Sequence, residues 1–422
     1  MYPKMQYGLN DISKMANPLT GSLTNKMLSG VAFKEQKHKK KIVAHLSDKK
    51  ESTIPEIADL LNISVPKANE LVTILLSEGL VIESGHKSEG IGRKATTYIL
   101  NKDSCYFLGV EIKKYTINIA LMGFDKSIEK KSLNIPFPFL DPVESLDAII
   151  DHISEFLKQP GIQKDKIAGV GLSVAGRINA QTGEILTFYH FGDAPVKAKL
   201  EEALDLPVYL DNDSRTIAYG EYFFGGVASP ENMLVVNLDY GLAIGIFING
   251  KPVYGTSGYA GELGHAPLSN NEKICYCGKK GCLETEASGL ALINYITTKM
   301  KEGSSSRLSQ TLTQKGYIEL EDIVHAVEKG DNLAIEGMSE IGYKLGKGLA
   351  VALNLLNPSA IVIGGALSAI GDPMLMSIQT SIFQHSLSIV NADTVVTVSK
   401  INIQAGLLGC CVLVRDKVLG LL

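Results

Sequence analysis

The chain has 422 residues, of which 45% are hydrophobic and 20% charged, a size and composition typical of a globular protein with two or three domains. The formal net charge is only −4, but residues 1–105 contain 15 Lys and Arg against 11 Asp and Glu, so the rest of the chain is distinctly acidic. No apolar segment of a secretory signal follows Met1, and the most apolar stretch, residues 345–370, is broken by Asn, Pro and Gly. The composition therefore argues against a secreted or membrane-spanning protein and predicts a cytoplasmic one.

The first predicted domain follows a stretch without periodicity. Residues 1–33 mix Asn, Ser, Thr, Gly and Met and are predicted to form a flexible arm. Apolar residues then recur at helical spacing from Lys37 onwards, and a Ser-Thr pair with an early Pro predicts a helix at residues 55–61. After a four-residue turn, a second helix is predicted from Ser64, ending at Gly79. Helix, short turn and helix is the spacing of a helix-turn-helix.

Two predicted strands, at residues 80–82 and 96–100, flank a Gly-rich basic tip and are typical of a wing. Together these elements predict a winged helix-turn-helix (α+β) DNA-binding domain over residues 34–103. In such modules the second helix enters the major groove by its N-terminal residues, and the wing can reach the adjacent minor groove. The alternative is a winged helix that serves protein docking or dimerisation. The predicted DNA contacts are Ser64, Lys67, Asn69, Arg93 and Lys94.

The densest positive charge of the chain lies just before this helix-turn-helix. A basic head on an acidic body suits a polyanionic partner such as double-stranded DNA. Taken alone, the cluster is equally compatible with a solvated helix end. Its members are Lys34, Lys37, His38, Lys39, Lys40 and Lys41.

Residues 104–422 consist of buried strands and amphipathic helices. Each half contains a mixed set of strands and helices, which predicts a duplicated α/β fold like that of actin and hexokinase. The first lobe is predicted at about 104–225 and the second at about 226–405, with a central cleft between them. A C-terminal helix is predicted at 406–422. Ligands of open α/β sheets bind outside the carboxyl ends of the strands, which predicts a ligand in that cleft. The predicted strands are 107–112, 117–122, 131–135, 167–173, 233–238, 243–248 and 360–363, with a helix at 143–157.

Three cysteines and a histidine in the second lobe have the spacing of a metal site. Thiolates and imidazole are ligands that zinc prefers, and a closed set of four predicts a structural, tetrahedral site. Gly278 and Gly281 permit the sharp bends of such a knuckle. The alternatives are buried thiols or a disulfide, and nothing else in the sequence indicates an oxidising compartment. The predicted ligands are His265, Cys275, Cys277 and Cys282, which leaves Cys105, Cys410 and Cys411 as buried free thiols.

Residues 258–265 (Gly-Tyr-Ala-Gly-Glu-Leu-Gly-His) and 275–284 (Cys-Tyr-Cys-Gly-Lys-Lys-Gly-Cys-Leu-Glu) together resemble the signatures of the ROK family, which comprises repressors, open reading frames and sugar kinases. The resemblance covers residues 34–422 and includes the winged helix of the repressor branch. It implies a sugar or sugar-phosphate effector held by carboxylate, amide and imidazole groups, which suit vicinal hydroxyls. The implied effector contacts are Asn212, Asp213, Glu262, His265 and Glu284. The alternatives are a helix N-cap for Asp213 and support of the zinc ligands for Glu262 and Glu284.

The phosphate-binding loops depart from those of the family's kinases. The resemblance aligns residues 109–116 (Gly-Val-Glu-Ile-Lys-Lys-Tyr-Thr) with a Gly-rich loop, so the side chains of Lys113 and Lys114 fill space that phosphates need. Asp239 stands in the second phosphate loop, where it would repel a phosphate. Phosphoryl transfer depends almost entirely on positioning and charge stabilisation, so no kinase activity is predicted. Asp213 is then the vestigial position of a general base.

These features predict a zinc-containing, sugar-responsive transcriptional regulator, a repressor of carbohydrate uptake or catabolism genes. It would bind a two-fold-symmetric operator as a homodimer or homotetramer, without a membrane partner. The effector would act by binding two states of the protein with different affinities. Two alternatives remain: a regulator controlled by a protein partner, and an active ATP-dependent sugar kinase that retains a DNA-binding head.

Overall fold

The computed structural model describes residue 23 and residues 30–87, 95–137, 142–179, 183–185, 196–228 and 230–421. Most of the predicted arm, and the predicted wing contacts Arg93 and Lys94, lie outside these residues. The chain forms two compact units: residues 1–176, 182–211 and 410–422 belong to the first, and residues 177–181 and 212–409 to the second. Within the described residues, no helix combines the length and apolar character needed to cross a membrane.

The first unit begins with a small head of three helices and three strands. Antiparallel pairing joins the strands in the order β1-β3-β2. Three helices followed by a hairpin are the elements predicted for a winged helix-turn-helix. The elements are α1 (Gly30–Lys49), β1 (Ser52–Thr53), α2 (Ile54–Leu61), α3 (Val65–Ser77), β2 (Val81–Lys87) and β3 (Ala95–Leu100).

Local sequence sets the ends of α2. The Thr53 side chain accepts a hydrogen bond from Glu56 N at 3.5 Å, and the Glu56 carboxylate accepts from Thr53 N at 2.7 Å, which together form a capping box. Asn62 ends the helix in a left-handed conformation. These short-range contacts explain why the sequence predicts this helix almost to the residue.

The first helix is longer than the sequence predicts. It begins at Gly30, so residues 30–33, predicted as part of the arm, are helical. Val31 and Phe33 are exposed in this turn. Because this first turn buries no apolar side chains, the sequence shows no helical periodicity there that would predict it.

The rest of the first unit is built around a five-stranded sheet in the order β10-β7-β4-β5-β6. β4 is antiparallel to β5 and parallel to β7, and it is buried along its whole length as the central strand. The elements are β4 (Tyr106–Ile112), β5 (Thr116–Gly123), β6 (Ile128–Pro136), α4 (Pro142–Leu157), β7 (Ile167–Val174), β8 (Ile178–Asn179), β9 (Glu184–Ile185), α5 (Val196–Leu204) and β10 (Val208–Asn212), of which β8 lies in the second unit.

The second unit repeats this strand order, as β13-β12-β11-β14-β15. β11 is antiparallel to β12 and parallel to β14. In both sheets the strand that comes first along the chain is central. The next two strands along the chain lie on one side of it and the last two on the other, which confirms the predicted duplicated α/β fold. The elements are α6 (Asp213–Phe224), β11 (Met233–Leu238), β12 (Leu242–Ile248), β13 (Lys251–Pro252), α7 (Gly289–Lys301), α8 (Leu308–Lys315), α9 (Leu320–Glu328), α10 (Asn332–Leu356), β14 (Ala360–Gly364), α11 (Asp372–His385), α12 (Ser388–Ala392) and β15 (Val395–Val398).

The C-terminal helix α13 (Ala405–Leu419) packs tightly through glycines. Its first five residues belong to the second unit, where a Cβ on Gly409 would lie 1.7 Å from Thr216 O in α6. Its remaining residues belong to the first unit, where a Cβ on Gly171 would lie 2.5 Å from Cys410 O. Glycine at these positions allows a close approach of backbones that any side chain would prevent.

Within the first unit, polar contacts join the head to the sheet domain and to the end of α13. Lys126 Nζ lies 2.9 Å from Asp48 Oδ1, and Lys40 Nζ donates a hydrogen bond to Gly420 O at 3.1 Å. Burial lowers the pKa of Lys126, with Asp48 opposing that effect. The head is therefore attached to the first unit by side chains far apart in sequence.

Candidate functional site

The four predicted zinc ligands converge in the second unit. Donor atoms of His265, Cys275, Cys277 and Cys282 all lie within 4.8 Å of one another. The Cys277 and Cys282 Sγ atoms are 3.6 Å apart, and His265 Nδ1 is 3.5 Å from Cys275 Sγ. In a tetrahedral site with metal bonds of the length zinc prefers, such pairs are about 3.5–3.8 Å apart. The donor set therefore fits a zinc ion, and the three cysteines are free thiols rather than a disulfide.

The knuckle that carries the cysteines folds through glycine and backbone hydrogen bonds. Gly278 (φ 84°) and Gly281 (φ 77°) adopt left-handed conformations that favour glycine. Cys275 N donates to Lys279 O at 2.8 Å, and Gly278 N donates to Cys275 O at 2.8 Å. Burial raises the pKa of the Cys275 thiol to about 12, so this thiol keeps its proton at neutral pH unless a metal ion replaces it.

The remaining cysteines behave as predicted. Cys105, Cys410 and Cys411 are buried and free. Burial also raises the pKa of the Cys105 thiol to about 12. These thiols act as small apolar side chains of the first unit.

His265 lies between the cysteines and the acidic part of the site. It ends a short 3₁₀ turn, Leu263–His265, and its Nδ1 faces Cys275. On the other side of the ring, Nε2 is 3.5 Å from Glu262 Oε2 and 3.0 Å from the Tyr276 hydroxyl. A metal on Nδ1 would leave the ring proton on Nε2, so this atom would act as a hydrogen-bond donor.

Glu284 is buried beside the same cluster, two residues after Cys282. Its Oε2 accepts a hydrogen bond from Leu242 N, the first residue of β12, at 2.8 Å. Burial raises the pKa of the Glu284 carboxyl, and the Leu242 N–H opposes that effect. A Cβ on Gly241 would approach Glu284 Oε2 to 2.9 Å, so glycine there leaves room for the carboxylate.

Asn212 and Asp213 meet the same end of the β11–β12 pair. Asn212 is the N-cap of α6, where its side chain accepts a hydrogen bond from Ser214 N at 3.0 Å. Asp213 is the first residue of that helix, and its Oδ2 accepts from Asn237 Nδ2 at 3.3 Å. Asn237 lies on β11 opposite Ala243, next to the residue that binds Glu284. Asp213 and Glu284 are thus held at neighbouring positions of the β11–β12 pair, and Glu262 lies beside His265.

Three further residues lie beside these side chains, and the sequence predicts no role for them. Arg177 Nε lies 3.9 Å from Glu262 Oε2, and Asn237 binds Asp213. Tyr276 stands between two ligand cysteines, a position that could have drawn attention to it. Arg177 is distant in sequence from the other site residues, so no local pattern marks it.

The altered phosphate loop of the first unit makes its own contacts. Lys113 N donates to Thr116 O at 2.8 Å, closing the turn between β4 and β5. Lys113 Nζ is 3.8 Å from Glu111 Oε2, and Lys114 Nζ lies 4.8 Å from the centre of the Tyr115 ring. Side chains and their partners therefore line a turn that would need bare backbone amides to hold phosphates.

The predicted DNA contacts on α3 lie at the surface of the head. Ser64, the N-cap residue of α3, is exposed and its side chain makes no capping bond. Asn69 is also exposed. Lys67 Nζ lies 2.6 Å from Glu70 Oε1 and 4.0 Å from Glu35 Oε2, so it must exchange these partners to reach a phosphate.

The basic cluster of α1 divides into two groups. Lys39 is buried and its Nζ lies 2.9 Å from Glu78 Oε1, while Lys40 binds Gly420 O, so both maintain internal contacts. The other lysines are exposed, and together with one lysine of α3 they surround His38. Burial, together with these four ammonium groups, lowers the pKa of His38, so positive charge is concentrated around this residue. The four lysines are Lys34, Lys41, Lys67 and Lys37.

Comparisons with known proteins agree with these features. The sequence model of the ROK family matches residues 107–417. A putative xylose repressor of Caldicellulosiruptor sp. (strain Rt8B.4) is 28% identical over 395 residues, which cover 92% of this chain and 98% of the repressor. A glucokinase of Halalkalibacterium halodurans is 32% identical over 316 residues, which cover 74% of this chain and 96% of the glucokinase. The crystal structure of a ROK family transcriptional regulator, a homologue of the Escherichia coli MLC protein, is similar with a TM-score of 0.78 and 26% identity, covering 92% of this chain and 96% of that chain.

Proposed function

The chain belongs to the ROK family, and from this membership we propose that it is a sugar-responsive DNA-binding regulator that represses carbohydrate uptake or catabolism genes. One observation carries the proposal. The putative xylose repressor and the regulator structure each match 92% of this chain, whereas the glucokinase matches 74%. A regulator of this kind works on DNA, so we place it in the cytoplasm.

Binding to double-stranded DNA is supported by the surface of the head. The N-terminal end of α3 presents Ser64 and Asn69, and four lysines surround the adjacent His38. Phosphate contacts supply most of the affinity of such modules, and base-edge contacts supply specificity. We assign Lys67 to phosphate and Ser64 and Asn69 to phosphate or base edges. Arg93 and Lys94 stay proposed wing contacts.

The metal at the four-ligand cluster is proposed to be zinc in a structural role. The donor set of three thiols and one imidazole, with separations near those of a tetrahedral site, is the observation that supports it. With four protein ligands, no position is left for a reacting water. The ion would hold His265 and the neighbouring Glu284 at the effector site.

The effector is proposed to be a sugar or sugar phosphate. Two contacts support this assignment: Asp213 and Glu284 bind neighbouring positions of the β11–β12 pair, and Glu262 lies beside the Nε2 edge of His265. We assign these groups, with Asn212, to the effector. Such groups accept from and donate to vicinal hydroxyls at fixed geometry. A sugar that binds two states of the protein with different affinities would change the fraction bound to DNA.

A homodimer is proposed because a two-fold operator needs two heads. The second unit carries an exposed apolar face on α10, α11 and α12, where Phe383 is 70% exposed and Ile389 77%. Neighbouring parts of this face are joined by a hydrogen bond from Leu387 N to Asn354 Oδ1 at 3.0 Å. A second copy of this chain is the partner we assign to it, since exposed apolar patches of this kind mark association surfaces. A tetramer would need a further contact.

Selection of sheared genomic DNA by the zinc-loaded full-length protein tests the proposal. We expect enrichment of a two-fold-symmetric site and release of that site by one of a panel of sugars and sugar phosphates. The absence of any enriched sequence at moderate salt would overturn the DNA-binding function. Enrichment without release by any sugar would instead favour control by a protein partner.

A sugar kinase is the second candidate, because the glucokinase relative is 32% identical to this chain. The contacts of Lys113 and Asp239 in the two phosphate loops argue against it, since Lys113 N donates to Thr116 O and Tyr240 N donates to the Asp239 carboxylate instead of to the phosphates of ATP. A coupled assay of ADP release with a panel of hexoses and xylose decides the question. Turnover that is lost in an Asp213→Asn variant would establish the kinase.

A further inference from the structure

Tyr276 joins the metal cluster to the effector site. It stands between the ligand residues Cys275 and Cys277, so the knuckle fixes the position of its backbone. The residue is 62% exposed, and its ring meets the His265 ring edge-on, with centres 5.1 Å apart and an interplanar angle of 74°. Its hydroxyl lies 3.0 Å from His265 Nε2. Tyr276 thus contacts a side chain that we assign to both metal and effector.

The contact between Tyr276 and His265 occupies the Nε2 side of the imidazole. With a metal on Nδ1, which faces the cysteines, Nε2 would carry the ring proton and would be the one donor that the imidazole directs away from the cluster. Tyr276 Oη lies 3.0 Å from Nε2, where it would accept this hydrogen bond, while the Glu262 carboxylate is further away at 3.5 Å. An effector hydroxyl that accepted from Nε2 would have to take the place now held by the tyrosine oxygen.

We propose that Tyr276 is a further residue of the effector site, and that its hydroxyl holds the place of a sugar hydroxyl on His265 Nε2 until a sugar displaces it. The inference rests on the proposed sugar-binding function and adds to it the identity of the group that the sugar must replace. The effector class is accordingly a polyol with a hydroxyl free to accept from an imidazole N–H. The exposure of Tyr276 leaves solvent beside it into which the side chain can move when a sugar takes its place.

The free energy of the hydrogen bond between Tyr276 and His265 sets the expected change in sugar affinity. A neutral hydrogen bond at a partly solvated site contributes a modest net free energy. Removing the Tyr276 hydroxyl while keeping the ring should therefore raise sugar affinity by about two- to tenfold. A tyrosine that contacts the bound sugar would give the opposite result, because its removal would leave a sugar hydroxyl without its partner.

Calorimetric titration of the full-length, zinc-loaded protein tests this inference, with D-xylose, D-glucose and N-acetyl-D-glucosamine as probes. We compare wild type with Tyr276→Phe and with the control Tyr317→Phe, a tyrosine 55% exposed elsewhere in the second unit. Zinc content and thermal unfolding midpoints should be equal in all three proteins. The expected result is a tighter dissociation constant for Tyr276→Phe alone.

The outcomes separate this inference from the proposed function. If a sugar binds wild type but binds Tyr276→Phe equally or more weakly, the displacement is overturned while the sugar-responsive function stands. If none of the probes, nor any other sugar of the panel used for DNA release, binds either protein, the proposed function and the displacement fall together. A Tyr276→Ala variant that binds as tightly as Tyr276→Phe would further support displacement, because it shows that the ring itself makes no contact with the sugar.

Discussion

Replacement of Cys282 by Ser should remove the metal and leave most of the fold intact. Cys282 is 1% exposed, and its Sγ is 3.6 Å from that of Cys277. Serine is close to cysteine in volume but provides a hydroxyl in place of a thiolate, so the site loses one of four ligands that zinc prefers. The core of the second unit is built from strands and helices outside the knuckle, which is why we expect the variant to fold.

The magnitude follows from the number of ligands. Structural zinc contributes about 10–16 kcal/mol of apparent binding free energy in small zinc-binding peptides, shared among four ligands. The loss of one quarter of this is about 3 kcal/mol, which corresponds to a roughly 100-fold weaker affinity. We therefore expect one zinc per chain in wild type and far less than one in Cys282→Ser after dialysis against a mild chelator.

Metal content by atomic emission and competition with a chromophoric chelator provide the assay. Cys105→Ser is the matched control, because Cys105 is equally buried but belongs to the first unit. Zinc loss should also weaken sugar binding, since His265 and Glu284 would lose the ion that holds their segments. Equal zinc in Cys282→Ser and wild type would refute the ligand assignment. A folded wild type that takes up no zinc would refute the site.

Three further predictions address the head, the association surface and a buried acid. Replacing Lys37 and Lys41 by Gln should reduce the slope of log affinity for operator DNA against log salt by about 1–2, because each lost phosphate contact contributes about 0.9. As a control, replacing the exposed Lys301 by Gln should leave the slope unchanged. An unchanged slope in the double variant would exclude Lys37 and Lys41 from the interface. Phe383→Asp should shift the molar mass measured by light scattering from dimer to monomer, and a retained dimer would place the interface elsewhere. Burial raises the pKa of Glu221, so the stability that this carboxyl contributes is fully present below its unfolded pKa and is lost as pH rises through its folded pKa. Glu221→Gln should therefore stabilise the protein against urea at pH 7–8 and by less near pH 4. A variant that is less stable than wild type at pH 8 would contradict this prediction.

The amino-acid sequence by itself determined the parts of this protein that depend on short-range contacts. The capping box of Thr53 and Glu56 spans three residues, and the knuckle brings three cysteines together within eight. Residues so close along the chain meet at little entropic cost, so their spacing already reports the geometry. The helices of the head and the convergence of the four donor residues were predictable for this reason, whereas the strands were predicted from their runs of apolar residues. The family resemblance then supplied the identity of the acidic residues around them.

Tertiary structure alone decided which distant residues meet. The sequence gives no sign that Lys39 is buried against Glu78, or that Lys40 reaches Gly420, so the basic cluster of α1 looked uniform although only part of it faces solvent. Likewise, Arg177 lies beside Glu262 because of the path of the chain, and no local pattern in the sequence predicts this contact. Contacts of this kind depend on how whole elements pack, and hydrophobic periodicity records which face of an element is buried but not which partner buries it.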